Sequence, residues 1–195
     1  LRSILPALTG HVLMLDPGVE SASLDQGRWL DLDSETQLAA DALAEGAAAA
    51  VFPYGVFRLT RSQIDVAWCA PTFPVFTEIV LAEGEGSEVT SPVTGRVVTR
   101  TETSLTIAVK GRWTLIIEGV RPGPTITVGS EVQVGDSIAK LSGTRLMVAL
   151  STQGETLLTE LLVAGERAPG IARMWADPAE LLGLESYEQE DESGS

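Results

Sequence analysis

One histidine, His11, and one cysteine, Cys69, are all that the 195 residues offer of the two side chains that most often hold zinc. A working zinc site needs two or three imidazole, thiolate or carboxylate groups converging from one core, so carboxylates would have to supply nearly everything. The lone cysteine excludes an internal disulfide and fits a reducing compartment. Flanked by Trp68, Ala70 and Pro71, with no histidine near it in sequence, it reads as a buried structural thiol and not as a nucleophile. Basic side chains are scarce too. Against 27 Asp and Glu stand 13 Lys and Arg, a formal net charge of -14, with no cluster able to neutralise phosphates. That balance excludes nucleic acid and an anionic membrane surface as partners. No apolar run approaches the roughly 18 to 20 residues that span a bilayer. Leu1 to Leu15 lacks the basic start, long apolar stretch and small-residue cleavage site of a secretory signal. The chain therefore reads as a soluble, cytoplasmic piece of a longer polypeptide.

What is present is enough apolar material, 44% of the residues, to fill one core with a small appended lobe. Residues 1–60 read as an N-terminal α+β lobe. Val12 to Leu15 and Trp29 to Leu32 are its first strands, separated by Asp16-Pro17-Gly18 and Asp25-Gln26-Gly27. Ser34 followed by Gln37 fits a capping box, which predicts a helix from Glu35 with Leu38, Ala39, Ala42 and Leu43 on one face. The alanines after Gly46 extend that helix to about Ala50, and Val51 to Thr60 follows as one strand or two around Pro53-Tyr54-Gly55.

Residues 61–184 read as a β-domain with a C-terminal extension. Short β-branched runs separated by glycines and acidic turns predict strands at Ile64 to Trp68, Val75 to Leu81, Gly95 to Thr101, Ser104 to Val109 and Trp113 to Glu118. Further strands are expected at Ile126 to Val128, Ser137 to Leu141 and Leu146 to Leu150. Asp177 can cap a short helix that has Pro178 at its first position. Residues 185–195, with five acids and a Ser-Gly-Ser end, form an acidic linker. Two units echo each other: Pro92-x-x-Gly95-x-Val97 and Val132-x-x-Gly135-Asp136-x-Ile138. Such pairs suit a barrel-sandwich hybrid (duplicated hybrid motif), in which a glycine lets the strand bend and apolar residues fill a narrow core. The expected fold is thus mainly β.

Ser91 to Val98 and Val128 to Ile138 resemble two glycine-bearing segments of lysostaphin/LytM-type (M23-like) metallopeptidases. In that family a His-x-x-x-Asp element and a His-x-His strand supply the metal ligands and a catalytic histidine. Placed on this sequence, the first falls on Arg61 to Asp65 and the second on Arg145-Leu146-Met147, while a further family histidine falls near Glu118. Only Asp65 matches. The resemblance therefore implies a degenerate peptidase-like domain whose vestigial metal positions are Arg61, Asp65, Glu118, Arg145 and Met147, with no metal and no catalytic residue. An arginine has no lone pair for a metal, and a thioether prefers soft ions. The chain also departs from the family by an insertion between Pro74-Val75 and Ser91-Pro92.

A wider resemblance runs from Leu30-Asp31-Leu32 through Tyr54 to Thr60, Pro169-Gly170 and Asp177 to Leu182. In order, these motifs are similar to the centre of large fusion proteins, where such a β-domain lies between a phosphotransferase-like (kinase-fold) domain and a class III pyridoxal-phosphate aminotransferase. This implies a non-enzymatic scaffold or interdomain module whose partners are neighbouring domains of the same polypeptide, with pyridoxal phosphate bound elsewhere in it. The segment itself lacks the means: Lys110 and Lys140 are its only lysines, and neither lies in the large α/β fold that a Schiff-base lysine requires. They also lack the neighbours of a biotinyl or lipoyl lysine. Carboxylates Asp65, Glu78, Glu118 and Asp136 suit solvated faces better than a metal site of another kind. Arg61 and Arg145, at the old metal positions, are candidates to pair with Asp65 or hold an anion. The alternative is a stand-alone module that binds a peptide or glycan, or regulates a partner, through a vestigial groove.

Overall fold

Ala49–Phe52 is a strand and not the end of a helix, for a reason that lies three residues upstream. The computed structural model describes residues 1–15, 34–55, 58–59, 71–72, 75–110, 113–154 and 172–184. In it helix α1 (Ser34–Ala44) is closed by Gly46 at a φ of 100°. Gly46 N–H donates to Leu43 O and Ala47 N–H to Ala42 O, both at 3.1 Å, the paired bonds of a Schellman turn. Ala48 N–H then passes to the carbonyl of His11 at 2.7 Å, so the alanines expected to prolong the helix enter β2 (Ala49–Phe52) instead. The Gln37 amide donates to Asp41 at 2.6 Å, one turn along the helix. The Ser34 side chain, and with it the expected capping box, lies outside the described residues.

β1 (Val12–Met14) runs parallel to β2, with α1 between them in sequence, as a parallel pair requires. β2 pairs antiparallel with β5 (Thr77–Leu81), so the N-terminal segment joins the same sheet as the rest of the chain. The sequence between them holds the two-residue strands β3 (Arg58–Leu59) and β4 (Pro71–Thr72), which pair with each other. After β5 come β6 (Glu88–Thr90), β7 (Gly95–Arg100), β8 (Ser104–Val109), β9 (Trp113–Glu118), β10 (Val120–Pro122), β11 (Glu131–Val132), β12 (Ser137–Leu141), β13 (Arg145–Gly154), β14 (Ala172–Ala176) and the short helix α2 (Ala179–Leu182). The large sheet is ordered β1-β2-β5-β13-β9-β8-β7-β11, with β14 pairing the far half of β13. A small sheet, β10-β12-β6, lies across it. The expected mainly β architecture is what the structure has. The segment between Pro74-Val75 and Ser91-Pro92 supplies β5 and β6, one strand to each sheet.

Between the sheets lies one core. Ile79, Val97, Leu105, Ile107, Leu115, Ile117, Leu146 and Val148 come from the large sheet, and Val89, Val120, Ile138 and Leu141 from the small one. Burying each such side chain stabilises by roughly 1.5–3 kcal/mol. Strand alternation sends the intervening residues to the opposite face. There α1 covers only the N-terminal part, packing Ala39 and Ala42 against Ala50, Phe52 and Val80.

The two glycine motifs lock to each other. Ser91 N–H donates to Asp136 O at 2.9 Å, Gly135 N–H returns to Ser91 O at 2.8 Å, and Gly135 has a φ of 89°. At Gly95 the need is space: a Cβ there would sit on the Ala108 carbonyl oxygen of β8. The stretch Ile126 to Val128, expected as a strand, is irregular. Ile126 N–H turns back to Gly123 O at 3.1 Å, and Ser130 N–H to Thr127 O at 3.0 Å.

Candidate functional site

Cross-strand register brings three of the five expected positions together. Met147 of β13 pairs with Glu78 of β5 on one side and with Glu118 of β9 on the other. Glu118 in turn pairs with Ser104 of β8. Glu78, Met147, Glu118 and Ser104 thus form one row across four strands. Their chain neighbours Ile79, Leu146, Val148, Ile117 and Leu105 are core residues, so the row lies on the face away from the core. Arg145, two residues before Met147, shares that face. The other two positions, Arg61 and Asp65, lie outside the described residues.

Arg145 has a partner that the sequence does not suggest. Its Nη1 lies 3.1 Å from Glu78 Oε1, and its Nη2 donates to Thr36 Oγ1 in the first turn of α1 at 3.5 Å. The Glu78 side chain is only 13% exposed, the Arg145 side chain 51%. The guanidinium therefore shields a nearly buried carboxylate while facing solvent itself, and the pair is screened on one side. The signal for Glu78 was a charge inside Thr77–Leu81, a run otherwise buried on both faces. Such a charge marks where the sheet face stops being covered.

A zinc ion does not fit this donor set. Arg145 offers donors only, Met147 a soft thioether, and Glu78 is already engaged, which leaves Glu118 as the one described position with a suitable oxygen. Among the described residues no three of His, Cys, Asp and Glu come together to hold a metal. Of the wider acid set, Glu78 and Glu118 flank Met147. Asp136 instead closes a turn, its Oδ2 accepting Gln133 N–H at 2.8 Å. His11 has an exposed side chain, and Lys110 and Lys140 are exposed, at the end of β8 and on the face of β12. A separate cavity of about 340 Å³ opens at one end of the sandwich, with Leu5, Leu8, Leu81 and Leu141 beside Glu83 and Glu88. None of the residues in the row lines it.

No family model matches the chain, and no curated protein matches it. The solved structures that it resembles include M23 and LytM-type proteins. LytU is 16% identical with a TM-score of 0.43, over 67% of this chain and 81% of that one. Csd3 of Helicobacter pylori is 15% identical with a TM-score of 0.40, over 72% of this chain and 38% of that one. A mutant catalytic domain of the prophage-encoded M23 protein EnpA from Enterococcus faecalis is 14% identical with a TM-score of 0.34, over 43% of this chain and 71% of that one. At scores this low the likenesses are similarities of fold alone. No helix among the described residues is long and apolar enough to cross a membrane.

Proposed function

We propose that this chain is a non-catalytic, metallopeptidase-like scaffold, an interdomain module of a larger cytoplasmic polypeptide. The observation that carries this reading is the Arg145–Glu78 ion pair, 3.1 Å long, beside Met147 on the open face of the sheet. The resemblance puts Arg145 where the family has its catalytic histidine and Met147 where it has a metal ligand; a guanidinium cannot act as a base, and a thioether is a poor donor to zinc. Phosphotransferase-like and aminotransferase domains, with pyridoxal phosphate in the latter, would lie outside these residues. The order of motifs between residues 30 and 182 supports that context. The chemistry of such a protein resides in its neighbours, and this module sets how they are held.

The test is hydrolysis. The purified chain, saturated with zinc and incubated with a mixed peptide library, should release no fragments above the rate of a heat-denatured control. Zinc-dependent cleavage that Glu118→Gln or Asp65→Ala abolishes would overturn the reading.

A further inference from the structure

The two ends of the described fold meet, although 178 residues separate Ser3 from Leu181. Ser3 Oγ donates to Leu181 O at 2.9 Å, and a Cβ placed on Gly183 would lie 3.7 Å from the Leu1 nitrogen. Leu1, Ile4 and Leu5 from one end and Leu182 and Leu184 from the other are buried in the same core cluster as Val89 and Val120. The N-terminal segment is also fastened to β6. Thr90 N–H donates to Ile4 O and Thr90 Oγ1 to Ser3 O, each at 3.0 Å. Helix α2 is stopped at this point by Gly183, at a φ of 63°. There Gly183 N–H returns to Glu180 O and Leu184 N–H to Ala179 O, which turns the chain back toward Leu1.

We infer that residues 1–5 and 179–184 form a clasp that makes the two ends of this fold a single junction. Polypeptide attached before Leu1 and after Leu184 then leaves side by side from one edge of the sandwich. Two domains tethered at one point face each other at high effective concentration, whereas a module with ends at opposite poles would hold them apart. The consequence for flanking domains rests on the interdomain reading. The clasp itself is a property of this chain.

Spin labels on Arg2→Cys and Glu180→Cys, both exposed positions, in a Cys69→Ser background, test it directly by dipolar spectroscopy. A single short, narrow distance is expected. A long or broad distribution overturns the clasp. Hydrogen exchange on the unaltered chain gives a readout that no substitution can disturb: the amides of Thr90, Leu182 and Leu184 should be protected like those of β8 and β9, and rapid exchange there overturns it too. Labels moved into the segments that flank this chain in the longer polypeptide should report the same short distance. A long one there, with a short one in the isolated chain, overturns the common junction and leaves the interdomain reading intact. If the chain functions without flanking domains, that reading falls and the clasp stands on the isolated-chain distance.

Discussion

The two faces of β13 are built to different rules. One presents Leu146 and Val148, fully buried in the core between the sheets. The other presents Arg145 and Met147, half-covered or exposed, the first held by Glu78 and the second lying between Glu78 and Glu118. A strand one residue out of register would exchange these faces, so the apolar set fixes the position of the polar set without help from it. A sheet of this kind can therefore keep its fold while the residues at Arg145 and Met147 change, although farther along the same face Ala149 and Ser151 are buried. The resemblance read from the sequence rests on the same division: the glycines and inward-facing valines match the peptidase pattern, and the outward-facing residues do not.

Substitutions on the two faces should separate sharply. The largest effect is expected from Leu146→Ala on the inner face, which removes a fully buried side chain flanked by β5 and β9. It should cost about 2–5 kcal/mol, read as a fall in the midpoint of chemical denaturation. Next comes Gly119→Ala between β9 and β10, where φ is 83° and a Cβ would press on the Arg145 carbonyl. A loss above about 1 kcal/mol follows from left-handed strain alone. Arg145→Ala leaves the nearly buried Glu78 carboxylate without its ion pair. With half of the guanidinium in solvent, about 1 kcal/mol or less is expected, falling further in high salt. Met147→Leu, on the same face, should change stability by less than about 1.5 kcal/mol. An outer-face substitution as costly as Leu146→Ala would break the comparison.

The smallest effect is one of pH, at the clasp. Where the chain is prepared with Leu1 as its first residue, burial, followed by the charge of Arg2, lowers the pKa of the Leu1 amine from its ordinary value of 8.0. The folded state thus disfavours the charged amine. The penalty is complete below the lowered pKa, shrinks as pH rises through it, and is gone above the unfolded value. The isolated chain should therefore gain a little stability as pH rises toward 8.0, and acetylation of the amine should flatten that rise. A slope that survives acetylation would assign the effect to other groups.

The strands β8, β9 and β12 were legible to the residue, the first two because apolar alternation of period two runs between clear turns. The third was legible from its short apolar run between Gly135-Asp136 and Ser142-Gly143, although Ile138 and Ala139 are both buried and its register with β6 shifts. Asp177 was legible only in part: its Oδ1 accepts the Ala179 N–H at 2.9 Å, but Pro178 takes the cap position and the helix begins at Ala179, one residue later than expected. Strands β6, β10 and β11 were not, since two or three residues cannot display a period. Ile126 misled for the opposite reason. It is apolar and β-branched, yet it packs on the core from a turn. The alanines after Gly46 favour helix by propensity, but the Schellman turn and the His11 carbonyl divert them into the sheet. At the candidate site, motif placement gave Glu118, Arg145 and Met147. It missed Glu78 as the partner of Arg145, because cross-strand register depends on pairing between distant segments and leaves no local trace.

Zinc content tests the central claim most directly. After zinc loading and desalting, elemental analysis of the intact chain should find well under one metal per protein, and Asp65→Ala should change nothing. Stoichiometric zinc that disappears in Asp65→Ala would contradict the account and restore hydrolytic chemistry to the open face of the sheet.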